Sequence, residues 1–143
     1  MIVQSTRFGE IDVSDEQLIT FEAGIFGFET NRRYALLQLD NEDPTFHVLQ
    51  SLSDADLAFV IAEPFLFEPA YEFELPKAVS EQLEIKNEGD TQVFGIVSVR
   101  AKDNVTMNLK APIILNKNRN KAAQIILEST NYPIRYSLVK GGA

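Results

Sequence analysis

Cysteine and tryptophan are absent from this 143-residue sequence, and histidine occurs once, at His47. Without cysteine there is no disulfide bond, thiolate nucleophile or cysteine-ligated zinc, and one histidine does not supply the ligands of a usual zinc site. No apolar run approaches the roughly 18 residues of a membrane helix, and the N-terminal stretch lacks the pattern of a secretion signal. We therefore expect a soluble, cytoplasmic protein that has no contact with membranes.

Basic residues are also few, with 13 Lys and Arg against 21 Asp and Glu and a net charge of −8. This charge repels phosphate backbones, so direct binding to nucleic acid is not expected. Residues 1–75 carry 15 acids and three bases, whereas residues 76–143 carry six acids and ten bases. If the halves form different faces, an acidic face would attract a basic protein partner at low salt; otherwise it is a solvated surface that maintains solubility.

The hydrophobic residues, 45% of the chain, predict many short strands. Runs of Val, Ile, Leu, Phe, Tyr and Thr recur between polar, Gly or Pro segments, as in an all-β sandwich or barrel. We predict one all-β domain over residues 1–143, a small antiparallel β-barrel-like fold with about ten short strands and one short helix around residues 77–84. The candidate strands are 1–6, 10–14, 18–22, 34–39, 46–52, 57–62, 71–75, 92–101, 106–115, 122–128 and 134–139.

Two of these strands show a clear alternation of apolar and polar positions, which predicts faces that point inward. One face comprises Met107, Leu109, Ala111, Ile113 and Leu115, and the other comprises Ile134, Tyr136 and Leu138. Pro112 interrupts the first strand and removes a backbone donor, so we expect an edge strand or a bulge there.

The stretch FEAGIFGFE, residues 21–29, places two glycines among large apolar side chains. Gly24 and Gly27 favour a bulge or tight turn. We expect at least one of Ile25, Phe26 and Phe28 to pack inward as a plug of the barrel, and direct contact with a partner is the alternative.

Motifs for catalysis or metal binding are missing. His47 lies in a strand pattern, and the acidic run at residues 39–44 lacks the alternate spacing and central glycine of a calcium loop. There is no nucleophile elbow, phosphate-cradling loop or dinucleotide fingerprint. We expect no catalytic residue, no metal, no cofactor and no enzymatic activity.

The segment AEPFLFEPAYEFELP, residues 62–76, is the strongest candidate for a binding surface. Its three prolines prevent a continuous central strand, so part of it should cross the surface. Aromatic side chains rimmed by carboxylates suit a protein-binding patch, although Phe65 and Phe67 could instead pack into the barrel. The predicted partner-binding residues are Glu63, Phe65, Phe67, Glu68, Tyr71, Glu72 and Glu74.

Four motifs in register resemble the FliW family of flagellar assembly factors over nearly the whole chain. They are FEAGIFGFE, FHVLQS at residues 46–51, NLKAPIILN at residues 108–116 and YPIRYSL at residues 132–138.

The resemblance implies a non-enzymatic cytoplasmic protein with two alternative partners, flagellin and the RNA-binding translational regulator CsrA. A member freed by flagellin export would bind CsrA allosterically, away from its RNA-binding surface, and relieve repression of flagellin synthesis. Independently of the resemblance, a β-barrel that binds a small apolar ligand in its interior is the alternative function, and an enzyme is a more distant one.

Overall fold

The computed structural model describes residues 1–139, which form mainly short β-strands. One α-helix in these residues, α1 (Lys77–Gln82), begins directly after Pro76. The all-β class and the short helix are confirmed, whereas short 3-10 turns at Asp15–Gln17, Pro64–Leu66 and Glu88–Asp90 were not predicted. The strands are β1 (Ile2–Ser5), β2 (Gly9–Asp12), β3 (Leu18–Phe21), β4 (Arg33–Asp40), β5 (Asp43–Ser51), β6 (Ala58–Ala62), β7 (Thr91–Ala101), β8 (Asn104–Met107), β9 (Ile113–Asn116), β10 (Lys121–Gln124) and β11 (Tyr136–Ser137).

Seven strands close into a ring in the order β7, β6, β5, β4, β3, β10, β9 and back to β7. β8 and β11 extend from β7, and β1 and β2 form a separate hairpin. The β3–β10 pair is parallel, and the other ladders between the described strands are antiparallel. The ring leaves these seven strands without a free sheet edge, as in other closed barrels.

The ring closes because one edge of β7 pairs with two strands in succession. Its first residues pair with β9 and its later residues with β8, and the register differs by three residues between the two ladders. The predicted continuous strand 106–115 is therefore wrong: residues 108–112 leave the ladder, and the Asn108 Oδ1 atom accepts hydrogen bonds from the Lys110 and Ala111 amides, both at 3.0 Å. Pro112 lies in this excursion, outside any strand, rather than on an edge strand or at a bulge as predicted.

The interior of the ring is filled by side chains from every one of its strands, among them Phe21, Tyr34, Leu49, Ile61, Phe94, Ile113 and Ala122. The space left between them is about 10 Å³. A void of this size holds at most one water molecule. The alternative function of binding a small apolar ligand inside the barrel therefore has no cavity to support it.

A second core cluster forms around β8, β9 and the segment between β6 and β7, and a third lies beneath the β1–β2 hairpin. All five residues of the first predicted inward face, Met107 to Leu115 in alternation, are buried, as expected. The second predicted face is only partly correct: Tyr136 and Leu138 pack against the second cluster, but Ile134 is 61% exposed because the chain forms strand only at β11.

The stretch after β3 is a pair of tight turns. Gly24 and Gly27 have φ of 73° and 88°, the left-handed region that glycine adopts readily. Ile25 is 1% exposed and belongs to the barrel interior, whereas Phe26 and Phe28 remain exposed. The prediction that at least one of these side chains packs inward is confirmed.

Candidate functional site

The segment from Glu63 to Leu75 crosses the outside of the barrel without forming a strand. Pro64 opens a 3-10 turn, and the turn is closed by a backbone bond from the Phe67 amide to the Pro64 carbonyl at 3.0 Å. The predicted strand at residues 71–75 is wrong. The Glu72 amide bonds instead with the Tyr132 hydroxyl at 3.0 Å, so this backbone group is paired outside any ladder.

The structure separates the seven predicted partner-binding residues into three groups. Phe65, Glu72 and Glu74 are exposed, whereas Tyr71 is buried at 2% exposure. The half-buried members are Glu63, Phe67 and Glu68. Direct contact with a partner is therefore open to the first group, and Tyr71 supports the surface from below.

Tyr71 anchors the segment to the barrel. Its hydroxyl donates a hydrogen bond to the Leu109 carbonyl at 2.7 Å, and its ring packs against Tyr132 with centroids 4.6 Å apart. Phe65 and Phe73 lie against the same ring at 5.8 and 5.6 Å. Burial, and secondarily the charge that Tyr132 would carry, raise the pKa of Tyr71 above its ordinary value. The hydroxyl therefore stays a neutral donor at physiological pH.

Glu68 and Phe67 connect the segment to other strands. A Glu68 carboxylate oxygen accepts a hydrogen bond from the Tyr136 hydroxyl at 3.2 Å, and the other accepts one from the Ala70 amide at 3.2 Å. Burial, with a smaller contribution from this hydrogen bond, raises the pKa of Tyr136. Phe67 packs against Phe46 of β5 with centroids 6.1 Å apart. These two residues therefore have structural roles in addition to any contact with a partner.

A groove of about 810 Å³ lies between this segment, α1 and the start of β7. Four predicted residues line it, Phe65, Tyr71, Glu72 and Glu74. Its other lining residues were not predicted: Phe73, Leu75, Ser80, Ile85, Lys86, Asn87, Glu88, Thr91, Val93 and Ile114. Three carboxylates and one lysine surround an apolar floor, and we call this surface the acidic groove.

The Thr91 hydroxyl does not contribute to the acidic groove. Its Oγ1 atom is buried and has no hydrogen-bond partner among residues 1–139, so a molecule bound in the groove cannot reach it. The groove itself combines negative charge with apolar surface, which suits a basic, partly apolar protein surface.

The histidine and the acidic run singled out in the sequence lie apart from the acidic groove. Residues 1–139 contain no cluster of three or more His, Asp or Glu side chains arranged to hold a metal ion. His47 packs edge-on against Phe94 at 5.8 Å, as expected for a structural histidine, and the acidic run near Asp40 forms the exposed turn between β4 and β5. None of the helices described over residues 1–139 is long and apolar enough to cross a membrane.

Comparison with known proteins gives the family of the chain. The family model described as FliW protein matches residues 2–138. The chain belongs to the FliW family. It is 43% identical over 141 residues to the flagellar assembly factor FliW of Syntrophus aciditrophicus (strain SB), covering 98% of this chain and 89% of the relative. It is 45% identical over 139 residues to the FliW of Desulfitobacterium hafniense (strain DSM 10664 / DCB-2), covering 96% and 91%.

The fold matches that of a FliW crystal structure over the full length of both chains, with a TM-score of 0.90 and 36% sequence identity. The chain is thus a flagellar assembly factor of the FliW family, as the four sequence motifs indicated. In the structure, FHVLQS forms most of β5, whereas NLKAPIILN spans the excursion at residues 108–112 and β9. YPIRYSL covers β11 and the residues before it, and it begins with Tyr132, whose hydroxyl accepts the hydrogen bond from the Glu72 amide.

Proposed function

We propose that this FliW-family chain acts in the cytoplasm as a non-enzymatic binding protein for flagellin and for the translational regulator CsrA, and that residues 1–143 act as one domain. When flagellin has been exported, the freed protein binds CsrA allosterically and relieves repression of flagellin synthesis. The acidic groove is the structural observation that supports binding to CsrA.

Charge complementarity supports the assignment of CsrA to the acidic groove. An RNA-binding regulator needs basic surface, and the groove presents Glu72, Glu74 and Glu88 with Lys86 as its one basic lining residue. The net charge of −8 extends this attraction beyond the groove. Such complementarity accelerates association and orients the partners, and it weakens as salt screens the charges.

Exposed apolar side chains beside the groove support the contribution of hydrophobic contacts. Phe65 and Leu66 are 42% and 60% exposed in the 3-10 turn that borders it. Buried apolar anchors supply most of the affinity in protein interfaces, and surrounding charges supply orientation. Flagellin, whose unassembled ends are amphipathic helices, would also gain from such a surface.

Charge reversal of Glu72 and Glu74 tests the assignment. Both side chains are exposed, and neither makes an ion pair with another described residue. Glu68 is unsuitable because it accepts the Tyr136 hydroxyl bond. The matched control reverses Glu16 and Glu42, which are exposed acids outside the groove, so both double variants change the net charge equally.

We expect Glu72→Lys with Glu74→Lys to weaken CsrA binding about tenfold at low salt, as measured by isothermal titration calorimetry, while the control loses much less. Both variants should keep the melting temperature of the parent. Equal losses in the two variants would mean that net charge alone matters, and unchanged affinity in both would remove the acidic groove from the CsrA site.

A further inference from the structure

A second groove, of about 460 Å³, has the opposite charge. It lies between the turns after β3, the excursion at residues 108–112 and the chain that follows β10. Its basic residues are Arg100, Lys110 and Arg135, and its lining includes no Asp or Glu. Three exposed apolar side chains border it, Phe26, Ile126 and Ile134. We call this surface the basic groove.

The positive charges of the basic groove are not used by the fold of the described residues. Arg100, Lys110 and Arg135 form no ion pair within residues 1–139, although the chain carries 21 acids. Elsewhere the same chain does pair its charges: the Lys121 Nζ atom lies 2.8 Å from a Glu84 carboxylate oxygen. Three like charges around one groove repel one another, so an anionic occupant would relieve an unfavourable interaction.

Hydrogen bonds hold two walls of the basic groove in place. The Gln124 side chain accepts a bond from the Phe26 amide at 3.0 Å and donates one to the Ala111 carbonyl at 3.1 Å. It therefore joins the turn that carries Phe26 to the excursion that carries Lys110. A surface that is already ordered loses less entropy on binding than a flexible one.

We propose that the basic groove binds a polypeptide segment of a partner protein in which aliphatic side chains are flanked by carboxylates. The aliphatic side chains would cover Phe26, Ile126 and Ile134, and the carboxylates would pair with the three basic residues. A nucleic-acid backbone fits less well because the net charge of −8 repels it and the apolar border would stay uncovered. A fatty acid needs a pocket that encloses its chain, whereas this apolar surface is open.

Selection from a random peptide library tests this chemistry without assuming a partner. Phage-displayed 12-residue peptides are first depleted on the Arg100→Glu, Lys110→Glu double variant and then selected on the parent protein. The depletion removes peptides that bind the acidic groove. We expect the selected pool to be enriched in Asp and Glu next to Leu, Ile or Phe. A pool without such enrichment, or one rich in Lys and Arg, would overturn the proposal.

Binding of one selected peptide, labelled with fluorescein, then locates the site. We expect the double variant to bind it about tenfold more weakly than the parent. A control with Lys102→Glu and Lys117→Glu, exposed lysines outside the groove, should stay within about twofold. Equal loss in both variants contradicts the groove as the site.

Sedimentation velocity tests whether a second copy of the chain occupies the groove instead. If the parent protein is a dimer and the Arg100→Glu, Lys110→Glu variant is a monomer, the groove binds a second copy and the proposal is overturned.

Discussion

The Tyr71 hydroxyl donates a 2.7 Å hydrogen bond to the Leu109 carbonyl and so ties the acidic groove to the segment that borders the basic groove. Tyr71 lines the acidic groove, and the neighbours of Leu109, Asn108 and Lys110, line the basic one. The excursion at residues 108–112, which interrupts the ladder on β7, therefore contacts both candidate binding surfaces. Its conformation is important for the placement of each.

Removing this hydroxyl should destabilise the protein. Tyr71→Phe leaves the Leu109 carbonyl without its buried donor, and we expect a loss of about 1 to 2 kcal/mol in the free energy of unfolding. Tyr34→Phe is the matched control because the Tyr34 hydroxyl is buried with no partner among residues 1–139. Tyr34→Phe should leave the free energy of unfolding unchanged or raise it, because it removes a buried hydroxyl that has no partner. Urea unfolding of both variants measures the difference, and equal losses would contradict the hydrogen-bond account.

The two glycines after β3 should differ in their tolerance of a side chain. A Cβ atom on Gly24 would lie 2.6 Å from the Glu29 Cα atom, whereas one on Gly27 would meet nothing within 4 Å. Gly27→Ala should therefore lower the free energy of unfolding by about 1 kcal/mol, because only the positive φ is unfavourable for alanine. Gly24→Ala should lower it by about 3 kcal/mol or more, because the new Cβ atom also collides with the backbone. Gly27→Val should also lower the melting temperature. The reverse order of the alanine variants in thermal unfolding would refute this reading of the turns.

Gln50 should be intolerant of a change that removes its amide donors. It is fully buried, accepts the Ser5 hydroxyl bond at 2.8 Å, and donates to the carbonyls of Asp54 and Leu57, each at 3.2 Å. Gln50→Glu places a buried carboxylate against carbonyl oxygens, which repel it. We expect the free energy of unfolding to fall by at least about 3 kcal/mol at neutral pH. Gln38→Glu makes the same change at an exposed strand position and should change the free energy of unfolding by no more than about 0.5 kcal/mol. Denaturant unfolding of both variants checks the difference.

Alkaline pH should destabilise the protein through its buried tyrosines. Burial raises the pKa of Tyr34 from 10.0 to about 12. Above about pH 10 the unfolded chain loses this proton while the folded chain keeps it, so stability falls as pH rises towards 12 and is unaffected by Tyr34 below pH 10. The Tyr34→Phe variant should show a shallower decline than the parent in urea unfolding between pH 9 and 12. Parallel declines would contradict the raised pKa.

The sequence predicted β4 to β7 well because these segments are rich in β-branched, aromatic and other apolar residues and are bounded by polar or turn-forming residues. Residues 71–75 show where this reasoning fails. Tyr71 is buried and Glu72 and Glu74 are exposed, as alternation predicts, but the seven ring strands have no free edge for the segment to join, and the Glu72 amide donates to the Tyr132 hydroxyl instead. Alternation describes which side chains are buried, and pairing depends on edges that lie far away in the sequence.

The candidate site was predictable only in part for the same reason. Phe65, Glu72 and Glu74 were found from one contiguous segment in which aromatic and acidic residues alternate. The opposite wall of the acidic groove comes from α1 and β7, and residues such as Ile85, Glu88 and Thr91 join it only through the tertiary fold. The basic groove draws on six separate stretches, and no local pattern in any of them indicates a shared surface.

Isothermal titration calorimetry of the parent protein with CsrA, and separately with flagellin, both from the same organism, tests whether the chain binds these two partners. Each titration is performed at about 50 and 300 mM salt, which brackets the range over which surface charges become screened. We expect binding to both partners and an affinity for CsrA that falls as salt rises. Binding to neither partner would contradict the proposed function, and CsrA binding that is indifferent to salt would contradict the role of the acidic groove.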